Sequence, residues 1–415
     1  MKILLVHNSY QQPGGEDVVF RAEHDLLAEA GHGVSVYVRS NHEISSYNSL
    51  QKASLAPRTV WAWDTLKEMR QLIAGERPDV VHFHNTFPLV SPSAYFACRE
   101  AGVPVVQTLH NPRLLCPAAT LHRNGAFCQD CTVTKTFWPA VLHGCYRQSR
   151  VETGVVATML AVHRTLNTWQ KLVNCYLAST RFFADKFAEA GLPTGKIQVK
   201  PHFVPRDYKA SGSAGEYALF VGRLAPEKGV PTMLKAWERI RCIPLKIRGD
   251  GPLDPHIRAR TIERSLPIEL LPRLAQDELI RLFQGARFLV WPSEGLYETF
   301  GMVAIEAFAC GVPVIASNAG AMAEIVHDHC TGLHFRSGDP QDLAVKVEWA
   351  WNHSTEMEAM GRSARAEYEA KYTPERNYEM LLSIYEFAIN GTRPIRGQSL
   401  FDNLGTPAYA ESRSD

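Results

Sequence analysis

Short apolar runs rich in β-branched residues alternate along the chain with longer stretches whose apolar positions recur every three or four residues. The first kind of run predicts strands and the second amphipathic helices. In the first half, Ile3–Val6, Val34–Val38, Val80–Phe83, Val103–Leu109 and Cys175–Ala178 read as strands. Between the first two, Val18, Ala22, Leu26 and Ala30 form one helical stripe over Glu16–Ala30, which Gly31 ends. Asp207–Glu216 is polar and rich in Gly and Ser, and reads as an interdomain linker. The alternation then restarts. Strands are predicted at Ala218–Val221, Leu245–Ile247, Glu269–Leu271, Phe288–Trp291 and Val312–Ala316, with helices at Val230–Ile240, Ala275–Gly285 and Met302–Cys310.

This alternation defines an α/β protein of two doubly wound halves, in which ligands bind beyond the carboxyl ends of the strands. The predicted domains are 1–206 and 217–372. A last helix begins at Pro374, and 373–390 is expected to pack back on the first domain, before a disordered tail at 391–415.

Composition narrows the function. The chain has 415 residues, 45% apolar and 21% charged, with 44 Lys and Arg against 43 Asp and Glu. A net charge of +1 argues against a dedicated nucleic-acid binder and against an acidic disordered chain. The opening MKILLVHNSY is too short an apolar run for a secretory signal, and no run is long enough to span a bilayer. A cytoplasmic protein is expected. Of nine cysteines, Cys98, Cys175, Cys242, Cys310 and Cys330 stand singly in apolar surroundings and read as reduced core thiols.

Several loops after predicted strands carry chemistry. Gly14 and Gly15 precede the first helix, where a bare backbone lets N–H groups approach an anion. After Val221, Arg223 and Lys228 lie in the segment GRLAPEKG: a planar guanidinium fork and a mobile ammonium suit a pyrophosphate, although a solvated charged loop would read the same way alone. Gly249 and Gly251 follow the next strand in a turn that can pass under a base or ribose. The segment Trp291–Val326 holds Glu294 and Glu298 in a loop, then Gly301 before a helix carrying Glu306. A carboxylate inside the apolar run Met302–Ala309 is costly unless it accepts hydrogen bonds. Two ribose hydroxyls would supply them, or a structural ion pair would.

Together GRLAPEKG, GDGP, PSEGLYETFG, EAFACGVPVIAS and AGAMAEIV resemble the retaining glycosyltransferases of family 4, which have the GT-B fold: two Rossmann-like domains facing across a cleft. PGGE, VVHFHN and Thr108–Asn111 extend the likeness to residues 1–390. The resemblance implies a nucleotide-diphosphate sugar donor in the second domain and a glycan or lipid-linked acceptor in the first. It implies that Arg223 and Lys228 neutralise the diphosphate, Glu306 contacts the ribose, Glu298 faces the donor sugar, and His110 lies near the reaction centre. Gly301, Met302 and Val303 would give backbone contacts to phosphate, and Gly14 and Gly15 would close over it. No catalytic metal is implied, and no DxD motif follows a strand. Where the family often has two glycines before the late Glu, Gly320 stands alone before Glu324. The setting that this resemblance implies, bacterial polysaccharide synthesis, would bring peripheral contact with the inner membrane face.

An insert at about 111–150 carries Cys116, Cys128, Cys131 and Cys145. One CxxC with two flanking cysteines matches a closed structural zinc site; free thiols, a disulfide pair or an iron–sulfur cluster remain open on spacing alone. The insert leads into a helix predicted at Val151–Val173. Trp138, Tyr146, Arg147, Arg150 and Arg164 would suit an anionic membrane surface, or simply form the rim of a core helix. Two rival functions are an epimerase or hydrolase on the same fold and a non-catalytic nucleotide-sugar-binding protein.

Overall fold

The computed structural model describes residues 1–11, 14–123, 126–210, 215–294 and 298–391. Part of the expected linker (211–214) and nearly all of the expected tail (392–415) lie outside them.

The first domain is a six-stranded parallel sheet. Its strands are β1 (Lys2–Ser9), β2 (Gly33–Ser40), β3 (Val80–Phe83), β4 (Val105–Leu109), β7 (Cys175–Ala178) and β8 (Ile197–Val199), in the order β2-β1-β3-β4-β7-β8. A two-stranded hairpin, β5 (His122–Arg123) with β6 (Ala126–Phe127), belongs to the insert. The second sheet has β9 (Tyr217–Val221), β10 (Leu245–Arg248), β11 (Ile268–Leu271), β12 (Ala286–Trp291), β13 (Val314–Ser317) and β14 (Gly332–Phe335), in the order β11-β10-β9-β12-β13-β14. Both sheets are all-parallel and covered by helices on both faces, which is why the central strands read as mainly apolar runs. The strand order reverses beside β1 and beside β9, so the crevices between β1 and β3 and between β9 and β12 are the natural ligand sites. This is the expected two-domain GT-B architecture.

The edge strands β8 and β14 were not foreseen, because three and four residues with mixed polarity give too little alternation to read. The last helix, Pro374–Asn390, crosses to the first domain, where Leu381, Ile384, Tyr385 and Ala388 join a core with Ile3, Leu5, Val80 and Leu177.

Three local expectations need correction. The first helix, Gly15–Glu29, does not bury the stripe from Val18; it buries Asp17, Phe20, Glu23 and Leu27, and Val18 is exposed. The apolar stripe misleads because two of the buried positions are acidic and paired, Asp17 with His7 and Glu23 with Lys200. The predicted helix Val151–Val173 is two helices, Arg150–Thr165 and Thr168–Leu172, broken where Asn167 takes a left-handed conformation. Of the five single cysteines only Cys98, Cys175 and Cys310 are buried; Cys330 is half-buried and Cys242 exposed.

Candidate active site

The strand ends of both sheets open on one cleft of about 570 Å³. From the first domain, Gly14, Gly15 and Glu16 reach it after β1 and His110 after β4. From the second, Arg223 and Lys228 reach it after β9, and Glu298, Gly301, Met302 and Val303 after β12. Nine of the residues singled out in the sequence therefore line one cavity.

Local packing explains why these loops take their form. Gly301, at φ +102°, could not carry a Cβ without meeting the Trp291 ring at 2.0 Å; it sets the start of the helix Met302–Ala309 against the end of β12. Gly14 and Gly15 are different. A Cβ on Gly14 would approach nothing closer than Asp17 Oδ2 at 3.9 Å, and one on Gly15 nothing within 4 Å. Among the described residues, nothing in the packing requires glycine at either position.

Arg223 is exposed at the cleft, and its side chain has no ion pair or hydrogen bond among the described residues. Lys228 is tied across the cleft wall, its ammonium 2.5 Å from Oε2 of Glu298. Oε2 also accepts a hydrogen bond from Ser293 at 3.3 Å. Cation and carboxylate come from the loops after β9 and β12, neighbours at the switch point.

Gly249 and Gly251 do not line the cleft. A Cβ on either would strike the Gly222 carbonyl at 1.9 Å or the Leu224 carbonyl at 2.4 Å. Their turn is hydrogen-bonded to the Arg223 loop, with Leu224 N–H donating to the Asp250 carbonyl at 3.0 Å and Leu253 N–H to the Leu224 carbonyl at 3.0 Å. Both glycines are therefore placed where they support the arginine loop from behind.

Glu306 lies one turn beyond Met302 and Val303 on the same helix face, outside the residues lining the cavity. Burial alone pushes its carboxyl up to about 7, and no hydrogen bond or ion pair reaches it among the described residues. The alternative of a structural ion pair finds no partner there.

Four residues of the site were not assigned roles from the sequence. Glu16 is half-buried beside the cleft, and desolvation raises its carboxyl to about 7 against the pull of Arg113. Oε1 accepts from Asn111 at 3.3 Å, and Oε2 has no partner. His202 stacks on His110 with centroids 5.5 Å apart and meets Phe300 of the second domain edge-on at 5.0 Å. Thr299 clasps the domains: its hydroxyl donates to the His110 carbonyl at 3.0 Å, and its carbonyl accepts from Ser179 at 2.9 Å. Glu324 caps a helix of the other domain, accepting from the Arg181 and Phe182 N–H groups at 2.7 and 2.8 Å. The available signal for Glu16 was its position directly after the paired glycines; the others depend on contacts between domains.

Cys116, Cys128, Cys131 and Cys145 form no disulfide and line one small cavity of about 20 Å³, although no three of the sulfurs lie within 4.8 Å of one another. Among the described residues only Glu23, His82 and His84 form so tight a set of ligating atoms. There the Lys200 ammonium, 2.7 Å from Glu23, already supplies the positive charge. On the insert, Trp138, Arg147 and Arg150 are exposed, but Tyr146 turns inward, edge-on to Phe87 at 5.7 Å and beneath Arg113. No helix of the described residues is long and apolar enough to cross a membrane.

The class follows from the fold and this cleft: two Rossmann-like domains presenting two cations and a bare helix start to one interdomain cavity. A family model described as "Glycosyltransferase Family 4" matches residues 13–208, and one described as "Glycosyl transferases group 1" matches residues 206–367. A D-inositol 3-phosphate glycosyltransferase from Segniliparus rotundus is 30% identical over 95% of this chain and 92% of its own length. The chain belongs to this glycosyltransferase family. An uncharacterized glycosyltransferase of Methanocaldococcus jannaschii, MJ1178, is 35% identical over 41% of the chain, and the sulfoquinovosyl transferase SQD2 of Arabidopsis thaliana 23% over 87%. The chain spans 48% and 65% of the length of those two relatives. Among solved structures, Anabaena Alr3699/HepE in complex with UDP superposes with a TM-score of 0.65 at 17% identity, covering 92% of this chain and 99% of that one. Sucrose-phosphate synthase from Thermosynechococcus elongatus gives 0.67 at 17%, covering 94% and 100%.

Proposed function

We propose that this protein is a retaining glycosyltransferase, moving a sugar from a nucleoside-diphosphate sugar to a hydroxyl of a glycan or lipid-linked acceptor in bacterial polysaccharide or envelope-glycan assembly. The observation that carries this reading is the convergence of Gly14, Gly15, His110, Arg223, Lys228, Glu298 and Gly301–Val303 on one interdomain cleft. As the bond from the anomeric carbon to the diphosphate breaks, its electron pair leaves with the phosphate. Arg223, Lys228 and the N–H groups at Met302 and Val303 stabilise that charge. The acceptor oxygen bonds to the same face of the anomeric carbon, and its proton passes to the departing phosphate. Glu306 accepts the ribose hydroxyls and Glu298 faces the donor sugar. A solved complex of HepE with UDP-glucose supports a donor of this chemistry.

The four thiols of the insert would hold a structural zinc, drawing their sulfurs together from their present spacing around one cavity. Cys116 lies two residues before Ala118–Thr120, which line the cleft, so the metal would brace the acceptor wall. Exposed Val133, Trp138, Leu142 and Val151, with Lys135, Arg147 and Arg150 near them, support peripheral contact with the anionic inner face of a membrane.

A thermal-shift panel of UDP-, GDP-, ADP- and TDP-sugars tests the donor, since a binder raises the melting temperature by mass action. Nucleoside-diphosphate release that depends on an added acceptor separates transfer from hydrolysis or epimerisation. Tight binding with no turnover for any acceptor tried would favour the binding-protein alternative.

A further inference from the structure

His110 does not face the cleft as an isolated imidazole. Its Nε2 lies 3.0 Å from Nδ1 of His84, whose Nε2 lies 3.5 Å from Oε2 of Glu23. Oε1 of Glu23 accepts a hydrogen bond from Lys200 at 2.7 Å, and Lys200 also donates to Asn377 at 3.0 Å. The side chains of Glu23, His84 and Lys200 are at most 1% exposed. Neither Oε2 of Glu23 nor Nε2 of His84 has a hydrogen-bond partner, and each is the other's nearest ionisable neighbour, His82 Nδ1 standing further from Oε2 at 3.8 Å. Of the neighbouring imidazoles, His202 stacks on His110, and two others are hydrogen-bonded elsewhere. His82 bonds Tyr385 at 2.9 Å and Thr108 at 2.8 Å, while His7 bonds Asp17 at 2.9 Å.

Charge decides where the protons sit. Beside the Lys200 ammonium, Glu23 is the anion of the pair, and a carboxylate only accepts. Nε2 of His84 must then carry its hydrogen, because the other tautomer would set two lone pairs against each other in a buried site. A neutral imidazole has one N–H, so Nδ1 of His84 accepts and Nε2 of His110 donates. Burial, the other histidines and Lys200 hold both imidazoles well below the usual histidine range, and hence neutral.

We propose that Glu23 and His84 are positioning residues that lock His110 as its Nε2–H tautomer, leaving Nδ1 as a bare lone pair to accept a hydrogen bond from a sugar hydroxyl in the cleft. The hydroxyl rests on the glycosyltransferase reading; the tautomer does not. His110 then acts as an acceptor at the reaction centre and not as a proton donor.

An isosteric change tests this. In Glu23→Gln, the amide oxygen still accepts from Lys200, so the amide N–H groups face His84. Nε2 of His84 must become bare, Nδ1 must carry the hydrogen, and His110 must flip to its Nδ1–H form. Long-range ¹H–¹⁵N spectra of protein carrying ¹⁵N-labelled histidine, at about pH 7.5 where unperturbed histidine is neutral, report tautomers directly. His84→Asn and His110→Asn assign the two resonances. Nε2–H signals for both residues in the wild type, and Nδ1–H signals in Glu23→Gln, are expected. In the variant, UDP affinity by calorimetry stays within about twofold, while transfer falls by about tenfold or more, as when an orienting carboxylate is lost elsewhere. A wild-type His110 found as Nδ1–H or as an imidazolium overturns the proposal, and so does a Glu23→Gln spectrum without the flip. If that variant does not fold, the wild-type spectrum alone decides. A correct tautomer in a protein that binds no sugar nucleotide would defeat the functional reading and leave this one standing.

Discussion

The Lys228 ammonium is held 2.5 Å from the Glu298 carboxylate, so the ligand-free cleft already satisfies one of its two cations. A diphosphate entering the site competes with Glu298 for that ammonium. Both side chains are partly solvated, 21% and 15% exposed, which keeps the competition modest. Glu298→Gln removes the competing charge and one negative charge from the cleft. We expect this variant to bind UDP tighter by about threefold to tenfold, equivalent to ~1 kcal/mol, while transfer falls. Calorimetry with UDP, followed by a turnover assay, measures both; weaker UDP binding would mean that Glu298 supports the diphosphate and does not compete with it.

Arg223 separates catalysis from stability. It is exposed at the cleft and has no protein partner among the described residues, so Arg223→Ala should leave the melting temperature within the small range typical of surface substitutions. Loss of preorganised charge at a leaving group lowers turnover by about a hundredfold to a thousandfold. Side-by-side thermal unfolding and transfer rates check the pair of outcomes; normal turnover would remove Arg223 from the mechanism.

Glu306 gives a pH signature. Burial raises its carboxyl from 4.5 to about 7, so the folded, ligand-free protein holds that proton where the unfolded chain has lost it. Its contribution to stability therefore falls as pH rises from the unfolded value towards 7, because the unfolded state binds fewer protons. Ribose hydroxyls donating to the carboxylate favour its ionised form. UDP binding should thus release a proton below about pH 7, with affinity rising up to that pH and level above it. Glu16, also raised to about 7, borders the same cleft, so Glu306→Gln is the necessary control. Calorimetry in buffers of different ionisation enthalpy counts the protons; the part of the release lost in Glu306→Gln belongs to that carboxyl, and release unchanged in the variant would remove Glu306 from it.

The apolar runs of the central strands, Val80–Phe83 and Cys175–Ala178 among them, were legible to the residue because parallel strands buried on both faces carry few polar residues, His82 being the one interruption in these two. The cleft was legible for a related reason: its residues sit in loops directly after those strands. The sequence was less informative wherever one element borrows its partner from far away. Glu23 looked like an ordinary polar position until Lys200, 177 residues on, was seen to pair with it. Glu324 stood out in the sequence only as the late Glu after a single Gly320, and nothing local shows that its carboxylate caps a helix of the opposite domain. Gly249 and Gly251 read from the sequence as a turn passing under a base or ribose, whereas the packing sets them behind the Arg223 loop.

The thiol cluster yields a compositional test. If the four cysteines ligate zinc, purified protein should contain about one equivalent by elemental analysis, as expected for a closed four-thiolate site. Cys128→Ser and Cys131→Ser should each lose it. Stripping the metal with a chelator should then alter cleft residues Ala118–Thr120, read as faster amide exchange there, without changing exchange in the second sheet. Protein that is metal-free as purified, with all four thiols titrating freely, would rule the zinc site out.

Glu324 fixes how the two domains meet. Its two oxygens accept from the first two N–H groups of the helix Arg181–Glu189, which would otherwise lack partners at the domain boundary. The same helix has an intrinsic cap, with Thr180 accepting from Phe183 N–H at 3.3 Å, so it should survive the loss of the distant carboxylate. What Glu324→Ala removes is a bond between domains. Thr299 still bridges them, donating to the His110 carbonyl and accepting from Ser179, but without the second tie the pair should open more readily. The expected cost is about 1 kcal/mol, in the range for a lost helix cap. Because the contact lies between domains, it should appear as a larger radius of gyration in solution scattering and as weaker UDP binding, recovered in part by Glu324→Gln. A melting temperature and radius equal to the wild type would show that the capping bond contributes nothing to closure.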